Sequence, residues 1–151
     1  MTETGKKLYL EDLTVGMEFR SSEYALDREK IVAFASEFDP QPFHLDDAAA
    51  ENSSFNGLAA SGWHTMSVTM RLLVESVPFG SGLIGAGAEL SWPAPTRPDD
   101  VLHVWTEIID IRPSRSKLDR GIVVIRSRTL NQHNELRQDV TAKILVFSRE
   151  V

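Results

Sequence analysis

The hydrophobic pattern of this chain changes its period near Leu83, and this change limits the possible folds more than any other feature. From there onward apolar and polar residues alternate, with Pro, Gly and Asp between the alternating segments. Period-two alternation predicts strands, here over roughly 83–92, 101–112, 121–130 and 138–149. Because the residues before Leu83 follow a helical period, an α+β fold is expected, with an antiparallel sheet packed on a long helix.

Two helices are expected before the strands. Asp27 can cap a helix over 28–38, where apolar residues lie three, four and seven positions apart. A longer helix is expected between Gly57 and Val77. Its apolar row, which predicts a largely buried helix, consists of Trp63, Met66, Met70, Leu73 and Val77.

Length and composition fit one globular domain spanning 1–151. The chain has 151 residues, 42% of them hydrophobic and 25% charged. Its net charge of −6 opposes binding to nucleic acid. No segment approaches the ~18 apolar residues of a membrane span, and the polar N-terminus has no signal-peptide pattern, so a cytoplasmic protein without membrane contact is expected. Cysteine is absent, which excludes disulfides and thiol nucleophiles.

The predicted sheet also suggests an assembly. A sheet packed on one helix leaves an edge strand whose backbone groups are unpaired. A second copy of the chain can cover that edge, since closed symmetric pairs are the commonest oligomers. We therefore expect a homodimer or an assembly of dimers.

The segment 38–44, with the sequence FDPQPFH, places a carboxylate and an imidazole five residues apart. Pro40 and Pro42 stiffen the connection and predict a non-helical turn between Asp39 and His44. A carboxylate and an imidazole that face one small volume can bind a water, take its proton and return a proton to a neighbouring carbon. In the alternative interpretation, Asp39 caps the following turn and His44 is a hydrogen-bonded polar residue near the surface.

The segment 55–65 leads into the long helix through small residues. The free amides at a helix start can receive an oxyanion, and Gly62 has no side chain to block that approach. Tight packing of a buried helix would explain the glycine equally well.

Together these two segments resemble the hydratase signature of the MaoC-like dehydratases, which have the hot-dog fold and include the (R)-specific enoyl-CoA hydratases. That signature is Asp-x-Asn-Pro-x-His followed by a His-Gly pair, and here Gly62 lies eighteen residues after His44. Gln41 stands where the signature has Asn, and Ser61 where it has His. Further likeness through 85–100, 112–116 and 131–132 extends the resemblance over nearly the whole chain.

The resemblance implies a hydro-lyase that adds water reversibly to a 2-enoyl-CoA, giving a 3-hydroxyacyl-CoA in fatty acid metabolism. It assigns Asp39 and His44 to catalysis, the Gly62 amide to the oxyanion hole, and Ser61 and Trp63 to the neighbouring substrate contacts. No metal and no cofactor are implied, apart from the coenzyme A of the acyl-CoA substrate. Two alternatives stay open: a thioesterase with the same fold, and a non-catalytic subunit that binds acyl thioesters.

Two further features remain ambiguous. Six basic residues between Arg112 and Arg128, against the single acid Asp119, could contact coenzyme A phosphates or form a solvated strand face. His64 could approach the site from the long helix or be an ordinary buried polar residue.

Overall fold

A computed structural model describes residues 5–149 of the chain. Four helices and six strands follow a single 3₁₀ turn at Leu10–Asp12. The helices are α1 Arg28–Phe38, α2 Pro42–Leu45, α3 Asp47–Glu51 and α4 Gly62–Ser76. The strands are β1 Glu18–Arg20, β2 Tyr24–Ala25, β3 Ile84–Ser91, β4 Val101–Pro113, β5 Arg120–Leu130 and β6 Leu136–Phe147.

The strands form one antiparallel sheet, in the order β1-β4-β5-β6-β3, with β2 also paired to β4. The four predicted long strands are confirmed, with boundaries within about two residues of the expected ones. On β4 and β6 buried and less buried side chains alternate over much of the strand as the period predicted; on β6, Val140, Ile144 and Val146 are buried. The α+β class is therefore confirmed.

Helix α4 packs against the inner face of this sheet, and its buried face coincides only in part with the predicted row. Leu73 and Val77 are buried, but Trp63 is 58% exposed and Met70 37% exposed. The buried residues of α4 are His64, Thr65, Val68, Thr69, Leu72 and Leu73. The prediction missed part of this face because it counted only apolar residues, whereas threonines can be buried when their hydroxyls are hydrogen-bonded: Thr65 bonds Thr96 at 2.9 Å and Thr69 bonds Thr129 at 2.6 Å.

Helix α1 begins and ends as predicted. The Asp27 carboxylate accepts the Lys30 amide at 2.8 Å, and the helix ends at Phe38 before the first proline. The connection to His44 is different from the prediction of a non-helical turn. Pro42 occupies the first position of α2, where its missing amide costs nothing, so one helical turn forms and carries His44.

Strand β3 forms one edge of the sheet and is exposed along nearly its whole length. Its second side has no partner strand among residues 5–149. Within the same residues, no helix combines the length and apolar character needed to cross a membrane.

Candidate active site

Asp39 and His44 come together at the junction of α1 and α2. Asp39 follows the last residue of α1, and His44 lies in the single turn of α2. Asp39 Oδ2 is 3.2 Å from His44 Nε2, and both side chains are mostly buried, with 17% and 5% of their surfaces exposed. The turn stiffened by Pro40 and Pro42 thus holds a carboxylate oxygen and an imidazole nitrogen face to face.

The second imidazole nitrogen determines the tautomer of His44. Nδ1 lies 2.6 Å from the carbonyl oxygen of Ala59, which can only accept a hydrogen bond, so Nδ1 carries the proton. In the neutral ring, Nε2 then carries a lone pair that points toward the Asp39 carboxylate. Two acceptors facing each other favour a proton between them or a donor, such as a water, that both can bind.

Gln41 holds the other oxygen of the Asp39 carboxylate. Its side-chain amide donates to Oδ1 at 2.5 Å, and its backbone N–H donates to the Asp39 carbonyl at 2.7 Å. Burial raises the pKa of Asp39, but the hydrogen bond from Gln41, the nearby Ser61 hydroxyl and the charge of His44 together bring the pKa below its ordinary value. Asp39 is therefore ionised at neutral pH.

Gly62 is the first residue of α4. Its amide finds no hydrogen-bond acceptor among residues 5–149, as expected for the first turn of a helix. On its other side, the Trp92 indole lies so close that a Cβ at position 62 would be 2.5 to 2.8 Å from three ring atoms. Packing thus explains why position 62 carries glycine, while the amide stays free to donate.

A cavity of about 280 Å³ connects these groups. Asp39, Gln41, His44 and Gly62 lie on its wall. Much of the remaining wall is aromatic, formed by Phe43, Phe55, Trp63 and Trp92. The cavity therefore combines an apolar surface with a few convergent polar groups, as binding sites for small molecules do.

Ser61 immediately precedes this helix start and is fully buried. Its hydroxyl lies close enough to Asp39 to help lower the carboxyl pKa, yet no partner among the described residues completes a hydrogen bond with it. Ser61, predicted as a substrate contact, is not among the residues that line the cavity.

His64 lies outside the residues that line the cavity. Its ring stacks on Phe34, with centroids 4.6 Å apart, and its Nδ1 is buried without a partner among residues 5–149. Burial, with a smaller contribution from Lys30, lowers its pKa, so the ring is neutral near pH 7. The structure thus agrees with a buried polar residue.

The basic residues of β4 and β5 are partly neutralised by carboxylates. Arg112 pairs with Asp110 at 2.7 Å, Arg120 with Asp119 at 2.9 Å and Arg126 with Asp139 at 2.7 Å. These pairs agree with the interpretation of a solvated strand face.

Two groups of the site were not predicted. The Ala59 carbonyl has no signal in the sequence, because a backbone acceptor is independent of residue type. The contact of Trp92 with Gly62 was not predicted either, because it depends on the pairing of β3 with β6. There Gln138 accepts the indole N–H at 2.8 Å.

Comparison with known proteins identifies relatives over most of the chain. A family model described as "MaoC like domain" matches residues 11–128. The crystal structure of a MaoC-like dehydratase from Rhodospirillum rubrum is 57% identical, covers 95% of this chain and 99% of its own, and superposes with a TM-score of 0.94.

Two curated proteins are also similar. "Uncharacterized protein YdeM" of Bacillus subtilis is 35% identical over 126 residues, which are 82% of this chain and 87% of that protein. A "3-hydroxybutyryl-CoA dehydratase" of Methylorubrum extorquens is 30% identical over 112 residues, which are 73% of this chain and 69% of that protein. These matches confirm the resemblance and the hot-dog fold, and the chain belongs to the MaoC-like domain family.

Proposed function

We propose that the protein is a hydro-lyase that adds water reversibly across the double bond of a 2-enoyl-CoA, giving a 3-hydroxyacyl-CoA. The observation that carries the proposal is the pair of free atoms, Asp39 Oδ2 and His44 Nε2, 3.2 Å apart in the same cavity as Gly62. Membership of the MaoC-like family supports it, as does the likeness to a 3-hydroxybutyryl-CoA dehydratase.

In the proposed reaction, Asp39 and His44 bind one water that contacts both Oδ2 and Nε2 from the cavity side. As the water oxygen bonds to the β-carbon of the substrate, its proton passes to the coupled pair, and the π electrons move toward the thioester oxygen. The pair then returns a proton to the α-carbon, so the product gains one complete water. Because the two groups share the proton, its position is a property of the pair rather than of either residue.

The negative charge that collects on the thioester oxygen needs a donor. The Gly62 amide, without a protein partner at the start of the 15-residue helix α4, is placed to donate to that oxygen. Such a bond is strongest when the oxygen carries most charge, so it lowers the barrier rather than only binding substrate. We assign the Trp63 side chain to a substrate contact beside this amide.

We also propose that two copies of the chain pair through β3, because this edge is exposed and Ile84 on it is 43% exposed.

The reaction as written needs no cofactor beyond the coenzyme A of the substrate. The cytoplasmic location and the role in fatty acid metabolism remain predictions.

A spectrophotometric assay with crotonyl-CoA tests the reaction, since hydration removes the ultraviolet absorbance of the conjugated thioester. We expect kcat/KM to fall by about 10²–10⁴-fold in Asp39→Asn and in His44→Ala, the usual contribution of general acid–base catalysis. Matched controls are Asp47→Asn and His133→Ala, which alter an exposed carboxylate and an exposed imidazole. Both controls should keep full activity, and circular dichroism should show all four variants folded.

The same incubation separates the alternatives. Release of free coenzyme A thiol would identify a thioesterase, because hydration leaves the thioester intact. Binding of acyl-CoA without turnover would identify a non-catalytic subunit. Hydration that survives in both Asp39→Asn and His44→Ala would contradict the proposed mechanism.

A further inference from the structure

One arginine outside the cavity holds the loop that precedes α4. The guanidinium of Arg97 donates to three backbone carbonyls of this loop. Nη1 bonds the carbonyls of Gly57 and Leu58 at 2.8 and 3.3 Å, and Nη2 bonds the carbonyl of Phe55. Among residues 5–149, no carboxylate forms an ion pair with Arg97, so the hydrogen bonds of the guanidinium are directed to this loop.

The loop backbone cannot satisfy these carbonyls itself. Asn56 and Gly57 have φ angles of 53° and 143°, in the left-handed half of conformational space, and belong to no helix or strand. Carbonyls in such a segment need partners from elsewhere. A Cβ on Gly57 would lie 3.3 Å from Arg97 Nη1, so the absence of a side chain at this position also lets the guanidinium approach.

The loop leads directly to the group that orients His44. Leu58, bonded to Arg97, is followed by Ala59, whose carbonyl accepts the Nδ1 proton of His44 at 2.6 Å. The N–H of Ala59 donates to the Phe43 carbonyl at 3.2 Å, which ties the same residue to α2. The Phe55 ring packs on Phe43, with centroids 5.0 Å apart. Displacement of the loop would therefore move both the acceptor of His44 and a wall of the cavity.

Arg97 is itself held by a buried ionic network. Its backbone N–H donates to Oδ2 of Asp100 at 2.8 Å. Asp100 is 5% exposed, and the same oxygen pairs with Arg137 Nε at 3.0 Å. Asn131 donates to the other oxygen of Asp100 at 3.1 Å. The loop is thus connected through Arg97 to the buried ends of the sheet strands.

We propose that Arg97 is a positioning residue for the site: by fixing the Phe55–Leu58 loop, it holds the Ala59 carbonyl where it keeps His44 in the tautomer with a free Nε2. The kinetic part of this inference rests on the proposed hydratase function, whereas the tautomer of His44 is independent of it. A guanidinium is required because its planar fork reaches several carbonyls at once, and a lysine ammonium of equal charge does not.

The test is Arg97→Lys, with Arg126→Lys as the matched control, since Arg126 bonds Asp139 on the sheet with two nitrogens. Nitrogen-15 NMR of the histidine rings reports the tautomer of His44, and a retained Nδ1–H signal identifies the bond to Ala59. In Arg97→Lys we expect this signal to broaden or disappear and kcat for hydration to fall by about 100-fold, the effect of a misplacement near 1 Å. Because binding contacts are kept, KM should change little, and the control should match the unaltered protein.

An unchanged His44 signal in a folded Arg97→Lys variant would overturn the proposal, even if its activity fell. If this variant does not fold, the test passes to Arg97→Gln, whose single amide nitrogen replaces the guanidinium fork; an altered His44 signal supports the proposal and an unaltered one overturns it. If the unaltered protein does not hydrate any enoyl-CoA but its His44 signal still depends on Arg97, the proposed function fails and the positioning role stands.

Discussion

At the scale of single residues, the site is defined by which polar atoms of Asp39 and His44 already have a hydrogen-bond partner. Asp39 uses Oδ1 for Gln41, and His44 uses Nδ1 for Ala59. Oδ2 and Nε2 are left facing each other, 3.2 Å apart. Both atoms lie beside the cavity, so a water there can contact the two of them at once. The hydrogen bonds around the pair thus leave the two facing atoms for the proposed water.

The first prediction concerns Gln41 and the pH dependence of hydration. The Gln41 hydrogen bond favours the ionised form of Asp39, so Gln41→Ala should raise the pKa of this carboxyl toward its ordinary value or above it. Because the reaction requires ionised Asp39, the acid limb of the kcat/KM profile should move to higher pH. Activity should change little on the plateau above that limb.

The lowered pKa of Asp39 also makes the free energy of unfolding depend on pH. A carboxyl whose folded-state pKa is lowered stabilises the fold above its unfolded-state pKa, and this contribution is lost as pH falls through the folded-state value. Gln41→Ala should therefore lower the free energy of unfolding at neutral pH and have little effect in strong acid. Gln132→Ala is the control: its side-chain amide bonds the backbone of Val101 and Asp99 and touches no carboxylate, so any loss of stability there should not depend on pH. An acid limb that stays in place in Gln41→Ala would contradict the argument.

The second prediction separates the two roles of Gly62. Gly62→Ala places a methyl group within 2.5 to 2.8 Å of Trp92, so we expect a loss of about 1–3 kcal/mol in unfolding free energy from overpacking. Hydration should also fall sharply, because the Trp92 ring or the helix start must shift. Gly85→Ala is a control for unfolding free energy only, since a Cβ there meets nothing within 4 Å but the residue lies on β3, the proposed pairing edge.

The double variant Gly62→Ala with Trp92→Ala removes the overlap but keeps the amide. If crowding alone causes the loss, this variant should recover part of the hydration activity lost in Gly62→Ala. Thermal unfolding and the crotonyl-CoA assay check the two effects separately. A single Gly62→Ala variant with unchanged stability would contradict the observed packing.

The sequence predicted the side chains of the candidate site better than its backbone groups. Asp39, His44 and Gly62 were identified because their residue types carry chemistry and their spacing matches a known signature. The Ala59 carbonyl and the contact of Trp92 with Gly62 were not, because both depend on how distant segments pack. The glycine itself was singled out with two explanations, and the structure gives direct geometric evidence for the packing one.

At the scale of elements, long periodic segments were predictable and short ones were not. Strands of eight to thirteen residues repeat their alternation several times, whereas β1 and β2 have three and two residues and contain too little pattern to recognise. The helices α2 and α3, of four and five residues, depend on Pro42 and on the Asp46 cap rather than on periodicity. Helix α4 was found, but its buried face was predicted only in part, since polar residues also pack it against the sheet.

These polar contacts give the third prediction. Gln138 is fully buried on β6 and accepts the Trp92 indole N–H at 2.8 Å. Its amide also donates to Thr69 at 3.0 Å, while Thr69 accepts from Thr129. Gln138→Met keeps most of the volume but removes the Trp92 acceptor, so we expect a loss of about 1–3 kcal/mol in unfolding free energy. The indole N–H signal of Trp92 should move in proton NMR.

The control for this variant is Thr106→Val. The Thr106 hydroxyl bonds Ser127 at 2.9 Å in the same buried sheet face, away from Trp92. A similar loss of stability is expected there, but the Trp92 signal should stay in place. If Gln138→Met leaves that signal unmoved, the bond between Gln138 and Trp92 does not orient the indole above Gly62.

At the scale of the whole molecule, four of the exposed large apolar side chains lie on α4 and on or beside β3. Trp63 and Met70 are exposed on α4, Trp92 follows β3, and Ile84 begins β3. Two of the four, Trp63 and Trp92, also line the cavity of the site. A second copy seated on β3 would therefore cover an unpaired strand edge close to one wall of the site, and assembly and activity should change together.

The fourth prediction tests this link. Ile84→Lys places a charge on the exposed edge of β3, and covering that charge with a second copy would carry a desolvation cost that opposes pairing. We expect sedimentation velocity to find a dimer for the unaltered protein and a monomer for the variant, and hydration to fall with the dimer fraction as the protein is diluted. Leu118→Lys is the control, because Leu118 is 89% exposed at the turn between β4 and β5, away from this edge. If the dimer survives Ile84→Lys but is lost in Leu118→Lys, the interface lies at the β4–β5 turn instead. If hydration does not depend on the dimer fraction, the activity of the site is independent of assembly.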